Sequence, residues 1–250
     1  MLKITTDLHT HTVASGHAYS TVDEMAKGAF VKGIKLIAIT DHGPALPGGP
    51  HMYHFGNISI LPERLYGVRL IKGIEANILD QGQLDLDNEY LSFLDFVAAG
   101  LHSLTGHNLK NKEDYTAAVI AAMKNPYLDM ITHPVQREYP IDLEAVAKAA
   151  AKHNIILELN ASSYSPKKSH YRGIKSESIK LLKLAIEYDV KIAVNSDAHF
   201  QADIGEYSSL NFVLDSQDFA EELIINRSET SVLNYLKKRN KKLAKLKKTV

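Results

Sequence analysis

Two segments far apart in the chain carry metal-competent side chains at the same spacing: His9-Thr10-His11 near the start and Asp197-Ala198-His199 late in the sequence. Alternate side chains of a strand point to one side, so residues two apart can grip one ion. An acid, Glu75, sits inside the run GIEAN (73–77), and single histidines close other runs: His42 in TDH, His102 in GLH and His133 in THP. Any one of these histidines alone is more simply a hydrogen-bonded core or surface residue. The set together points to a metal site of imidazoles and carboxylates. The chain holds 12 His and no Cys, which excludes a disulfide framework, a thiolate zinc site, an iron–sulfur cluster and a thiol nucleophile.

These side chains stand where strands are expected to end. Short β-rich or continuously apolar runs predict strands at Lys3–Leu8, Leu36–Thr40, Arg69–Ile74, Phe96–Ala99, Met130–Thr132, Ile155–Leu159 and Lys191–Val194. Helical patterns cover Thr21–Lys32, Asn111–Lys124, Asp142–His153, Ser176–Tyr188 and the segment from Thr230 onward. Ser20 is the expected N-cap of the first, with Asp23 and Glu24 in its opening turn and Gly33 past its end. Residues 43–57, rich in Gly and Pro, read as a loop. Strands alternating with helices predict an α/β fold with a parallel sheet, open or closed. Neither GxGxxG nor GxxxxGK[ST] occurs, so a nucleotide-binding sheet is not supported. In a closed barrel the C-terminal strand ends share one rim, where active sites are built. That rim would gather His9, His11, His42, Glu75, His102, His133, Asn160, Asp197 and His199.

The other polar residues divide by position. His17, in a small-residue loop after His9, can fold back over the rim. His54 and Asn160 are candidate substrate contacts, and His51 shares the Gly/Pro loop with His54. Asp41 is placed to accept the outer N–H of a metal-bound imidazole. Asp7 falls on the His9 face of a regular strand, as a similar partner or as a structural acid. His107 and His170 are expected at the surface, and His153 favours the dipole at a helix C-terminus.

Composition bounds the class. A chain of 250 residues, 45% hydrophobic and 23% charged, fits one ordinary globular domain over residues 1–250. The net charge is zero, but residues 236–250 hold eight Lys or Arg and no acid, which leaves 21 bases against 29 acids elsewhere. This basic tail reads as a solvated helix or as a contact for an anionic partner such as nucleic acid. No apolar run is long enough to span a membrane, and the opening MLKITTDLHTHT lacks a signal-peptide core, so a cytoplasmic location is expected.

The motifs DLHTHT (7–12), TDHGP (40–44), GIEAN (73–77), GLH (100–102), THP (132–134) and NSDAH (195–199) resemble the PHP family, named for polymerase and histidinol phosphatase domains. Their order and spacing cover most of the chain, and the segments HAYS and HMYHF most resemble its compact stand-alone bacterial phosphoesterases. The resemblance implies a distorted (β/α)7 TIM-like barrel with a trinuclear metal site. It implies that His9, His11, Glu75 and Asp197 hold one ion, that a bridging Glu75 with His102 and His133 holds a second, and that His17, His42 and His199 hold a third.

Nitrogen and carboxylate ligands suit Zn, Mn or Fe, and the ligand types do not choose among them; zinc is the expected ion, with Mn and Fe as alternatives. Three divalent ions against two carboxylates give a cationic site of about +4, suited to a small phosphorylated substrate. Water activated by the metal would be the nucleophile, with no side-chain nucleophile required. The expected activity is hydrolysis of small phosphate esters. Two alternatives stand beside it: a nuclease acting on DNA or RNA ends, and an amidohydrolase-type hydrolase, which also uses HxH on its first strand.

Overall fold

The computed structural model describes residues 3–165, 173–215 and 221–246. In chain order its elements are β1 (Thr6–Thr10), α1 (Val22–Val31), β2 (Leu36–Ile39), α2 (Met52–Asn57), β3 (Arg64–Leu65), β4 (Val68–Asn77), α3 (Asn88–Leu91), β5 (Phe96–Gly100), α4 (Lys112–Ala122), β6 (Met130–Ile131), α5 (Leu143–His153), β7 (Ile156–Asn160), α6 (Lys175–Tyr188), β8 (Ile192–Asn195), α7 (Asn211–Leu214) and α8 (Glu229–Leu246). Seven strands pair in parallel in the order β1-β2-β4-β5-β6-β7-β8, and the two-residue β3 is antiparallel to β4. The ring nearly closes. Between β8 and β1 there is a bridge at Thr10 and Ala198, the His11 N–H donates to the Ala198 carbonyl, and the Leu8 N–H donates to Asn195 Oδ1. This is the seven-stranded α/β barrel expected from the sequence.

Three apolar clusters hold it. Leu8, Leu36, Ala38, Ile71, Phe96, Ala98, Met130, Ile156 and Ala193 form a cluster of inward-facing strand residues, joined by Val232 and Leu236 of α8. Outside the ring, Val97, Ile131, Leu157 and Val194 pack with Val119, Val146, Ala150 and Leu181 of α4, α5 and α6. On the remaining side, Met25, Ala26 and Ala29 of α1 cover Ile37, Ile39 and Leu70. Each buried aliphatic side chain contributes roughly 1.5–3 kcal/mol relative to an exposed one.

Helix starts follow local chemistry. Thr21, not Ser20, caps α1: it closes a capping box with Glu24, three residues on, which is the spacing that motif requires. Ser20 instead accepts the Gln201 N–H. Asn111 caps α4 and Asp142 caps α5 through their side chains.

Four other expectations are corrected. β1 runs later than Lys3–Leu8, because its pairing starts at Thr6 with Leu36, so His9 lies inside the strand. β4 is longer than expected and carries Glu75 and Asn77 within its paired register. The Gly/Pro segment contains α2, whose first turn is capped when His51 accepts the Tyr53 N–H. The basic tail is not a wholly solvated helix, since Val232 and Leu236 of α8 are buried. His170 and the last lysines of the tail, Lys247 and Lys248, lie outside the described residues.

Candidate metal centre

An irregularity in β1 aims the first pair of histidines. Asp7 pairs with Ile37 and Thr10 with Ile39, so β1 spends one more residue than β2 over this stretch. Such a bulge breaks the alternation of faces. Leu8 joins the barrel interior, and His9, its immediate neighbour, reaches Glu75 in that same interior. Asp7 is therefore not on the His9 face as regular alternation predicted. It is buried against the segment after β8, accepting from the Ser196 hydroxyl and from the N–H groups of Ser196 and Gly205.

Glu75 stands at the centre, fully buried. Its Oε2 lies 3.2 Å from His9 Nε2, 3.4 Å from His11 Nε2 and 3.0 Å from His42 Nδ1. Its Oε1 lies 3.3 Å from His102 Nε2 and 2.8 Å from His133 Nε2. One carboxylate thus faces two separate histidine groups, one per oxygen. Asp197 Oδ1 lies 3.3 Å from His11 Nε2 and 3.8 Å from His9 Nε2. His17 and His199 bring their Nε2 atoms to 3.0 Å, and His17 stacks on His42 with ring centroids 5.0 Å apart.

Six of the rings are gripped from behind. Nδ1 of His9 meets Glu158 Oε1 at 2.7 Å, Nδ1 of His102 meets Asn77 Oδ1 at 2.8 Å, and Nδ1 of His11 meets Ser15 Oγ at 3.2 Å. Nδ1 of His17 and of His199 face the Ser15 and Asp197 carbonyls, and Nδ1 of His133 meets the Gln136 side-chain amide. Where an oxygen accepts from Nδ1, Nε2 keeps its lone pair for a ligand, the arrangement found around metal-bound imidazoles. The inward atoms His9 Nε2, His11 Nε2, His42 Nδ1 and both Glu75 oxygens are buried without a hydrogen-bond partner. Orphaned buried polar atoms are costly, and here they converge on shared points. Among the described residues, three triplets bring ligand atoms within 4.8 Å of one another: His9-His11-Glu75, His42-Glu75-His102 and His11-His42-His199. His42 therefore leans toward Glu75 as well as toward His199.

Burial and neighbouring charges pull the buried groups of the site in different directions. Burial would raise the Glu75 carboxyl, yet His9, His102, His42 and His133 hold it well below the usual carboxylate range. Burial would lower His9, yet Glu158, Glu75 and Asp197 raise it well above an ordinary imidazole. Burial brings His102 down to about 4 despite Glu75, leaving a neutral ring. His11 is lowered by burial and by its neighbours His199 and His42.

The remaining expected residues are placed as follows. Asp41 does not touch the His42 ring. It accepts from Thr12 N–H at 2.7 Å, Thr12 Oγ1 at 2.8 Å and Ser15 Oγ at 2.7 Å, and so reaches His11 through Ser15. Although burial opposes it, these bonds with His54 and His11 keep Asp41 at about 2. His54 on α2 sits with Nε2 3.5 Å from Asp41 Oδ2. Asn160 donates to Glu158 Oε2 at 3.1 Å and to Asp197 Oδ2 at 3.2 Å. His107 is half-buried against Tyr139 rather than exposed. His153 ends α5.

Sequence reasoning missed Glu158, Asn77, Ser15 and Gln136. Glu158 carried a usable signal: an acid inside the apolar run IILEL, the same signal that singled out Glu75. The lysines of α8 lie elsewhere. Arg239 donates to the Leu94 and Tyr127 carbonyls, at the N-terminal ends of β5 and β6, opposite the histidine rim.

The family model for the PHP domain matches residues 7–196. A probable phosphatase of Acetivibrio thermocellus is 43% identical over 97% of this chain and 99% of its own. Another, of Caldanaerobacter subterraneus, is 43% identical over 97% of this chain and 94% of its own. Among solved structures, the histidinol phosphate phosphatase of Lactococcus lactis, complexed with zinc, L-histidinol and phosphate, superimposes with a TM-score of 0.59 at 18% identity, covering 86% of this chain and 92% of that one. A chain of an archaeal ribonuclease P bound to mature tRNA gives 0.62 at 16% identity, covering 93% and 91%. At these identities the two structures speak to the fold.

Proposed function

The chain belongs to the PHP domain family, and on that premise we propose that it is a metal-dependent phosphatase of small phosphate esters working through a three-ion centre. The observation that carries the reading is Glu75, with one oxygen toward His9, His11 and His42 and the other toward His102 and His133. The residues fit divalent ions: imidazoles mostly gripped through Nδ1, carboxylates facing them, and buried inward atoms without a hydrogen-bond partner. His9, His11, Glu75 and Asp197 would hold one ion, Glu75, His102 and His133 a second, and His17, His42 and His199 a third. The donors suit zinc, manganese and iron, and zinc is the ion assigned here, with the other two as alternatives. Ions bound there would supply Lewis acidity toward phosphoryl oxygens and a nucleophile from water at neutral pH.

The chain's own residues do the rest. The acids Glu75, Asp197, Glu158 and Asp41 offset four of the six charges that three divalent ions bring, leaving about +2 to attract a phosphate dianion. That is smaller than the value from Glu75 and Asp197 alone, because Glu158 and Asp41 also face the histidines. Asp41, held at about 2, stays ionised and serves as an acceptor rather than a proton donor. His54, with 30% of its side chain exposed beside Asp41, is placed to contact substrate and to pass a proton to a leaving oxygen. Asn160 ties Asp197 to Glu158 and is the second candidate substrate contact.

No described helix is long and apolar enough to cross a membrane, and a cytoplasmic enzyme formed as one catalytic unit over residues 1–250 is part of this reading. The nuclease alternative draws no support from α8, whose contacts lie at the opposite end of the barrel. The test is metal analysis of freshly purified protein paired with a phosphomonoester panel. Bound zinc, manganese or iron with phosphate release is expected. No bound metal, and no phosphate release after zinc or manganese is added back, would overturn the reading.

A further inference from the structure

Glu158 is 1% exposed and lies at the middle of β7. Among the described residues its ion pair is with His9, and no Lys or Arg approaches it. A buried carboxylate without a cation is expensive unless every lone pair is used. Here four donors use them. Oε1 accepts from His9 Nδ1 at 2.7 Å and from Asn195 Nδ2 at 2.8 Å. Oε2 accepts from the backbone N–H of His133 at 2.7 Å and from Asn160 Nδ2 at 3.1 Å.

The two oxygens of Glu158 therefore serve two different histidine groups, as the two oxygens of Glu75 do from the inner side. His9 belongs to the group on Glu75 Oε2, and His133 to the group on Glu75 Oε1. The His133 contact is to backbone, and that backbone is strained: φ is +31°, a region non-glycine residues seldom occupy. Asp197 is held likewise at φ +52°, and its carboxylate is tied to Glu158 through Asn160. Conformations of this kind persist only where the surroundings over-determine them. Asn195, the fourth donor, accepts the Leu8 N–H with its oxygen, which ties the arrangement to the start of the His9 strand.

We propose that Glu158 is the positioning residue that keeps two ion sites in register, one oxygen fixing the His9 ring and the other fixing the strained backbone that presents His133. This rests on the reading of the rim as a metal centre. A carboxylate is required because all four contacts are donors. A glutamine offers one acceptor oxygen and turns an N–H₂ toward either His9 Nδ1 or the His133 N–H.

The test is Glu158→Gln, with wild type and His9→Ala beside it, read by competition between the protein and a chelator for zinc. Glu158→Gln should weaken uptake at two sites together by roughly 10–100-fold, the usual cost of losing such a partner. His9→Ala should weaken one. Apo-protein melting in chelator separates this from general destabilisation. Zinc affinity within about twofold of wild type, or weakening confined to one site, would overturn the proposal. If Glu158→Gln does not fold, proton–nitrogen correlation spectra of wild type decide: a protected proton on His9 Nδ1 supports the contact, and an unprotonated Nδ1 overturns it. A wild-type protein that takes up no zinc, manganese or iron would overturn the metal-centre reading, and this proposal with it.

Discussion

Arg239 sets its guanidinium Nε 3.2 Å from Oδ1 of Asp129, at the end of the barrel opposite the histidines. Tyr235, one helical turn earlier, donates its hydroxyl to the same oxygen at 3.1 Å, and the other arginine nitrogens take the Leu94 and Tyr127 carbonyls. With Val232 and Leu236 in the barrel interior, this makes α8 the stopper of the barrel.

The pair gives a pH-dependent prediction. Burial pushes the Asp129 carboxyl up to about 6, with Arg239 pulling the other way. A folded value above the unfolded one means that folding takes up a proton between about pH 4 and pH 6. Stability from this group is thus fully present below pH 4 and falls by about 3 kcal/mol as pH rises through 6. Arg239→Met leaves the ionised carboxylate buried without its cation, which typically costs roughly 3–5 kcal/mol. The loss should be larger at pH 8, where Asp129 is ionised, than at pH 5, where it is mostly protonated. Urea unfolding at the two pH values measures it, and equal losses would contradict the pairing.

The histidine ends of the strands were legible because each follows a short apolar run that can only be a buried strand, as in LIAIT before His42. The acid in GIEAN stood out for the same reason. What was not legible needed closure of the ring. Glu158 and His9 are 149 positions apart and meet only because β7 and β1 both deliver side chains to one interior. The β1 bulge, which separates Asp7 from the His9 face, depends on how β2 pairs and has no local signature. The docking of α8 was masked by composition: Leu236 and Arg239 lie in a run of lysines that reads as solvated.

Removing the charge of Glu75 tests the shared ligand. Glu75→Gln keeps the shape but faces five imidazoles without its negative charge. Metal affinity should fall by more than about 100-fold, beyond what losing an outer hydrogen-bond partner costs. His133→Ala should lower activity by orders of magnitude with the barrel still folded, because the change lies at the rim. Metal content and circular dichroism of both variants check this, and full metal occupancy in Glu75→Gln would refute it.

Metal removal should also be visible as lost stability. The inward atoms of His9, His11, His42 and Glu75 are buried and unpartnered, so ions binding the folded chain alone stabilise it by mass action. At free metal about 1,000 times Kd, one site contributes about 4 kcal/mol. For a chain of this size that corresponds to roughly 8–16 °C in Tm. Melting scanned against added zinc or manganese after chelation gives the curve, and a flat Tm would count against a folded-state site.

Gly100 offers a way to disturb one ion site without touching a ligand. It ends β5, two residues before His102. A Cβ added there would stand 2.7 Å from Cε1 of His133 and 3.3 Å from Cε1 of His102, and would collide with Thr132 Oγ1. The obstacles are thus the Thr132 hydroxyl and, behind it, the two rings that face Glu75 Oε1. Relief must come from side chains, the Thr132 hydroxyl and then those rings, since β5 is paired on both sides by β4 and β6. Gly100→Ala should therefore cost about 1–3 kcal/mol of stability, as other overpacked positions do. It should also weaken metal uptake at the His102–His133 group while His9, His11 and Asp197 keep theirs. Metal stoichiometry against chelator concentration separates the two groups. Uniform loss at every site would mean that the strand, not the rings, had moved.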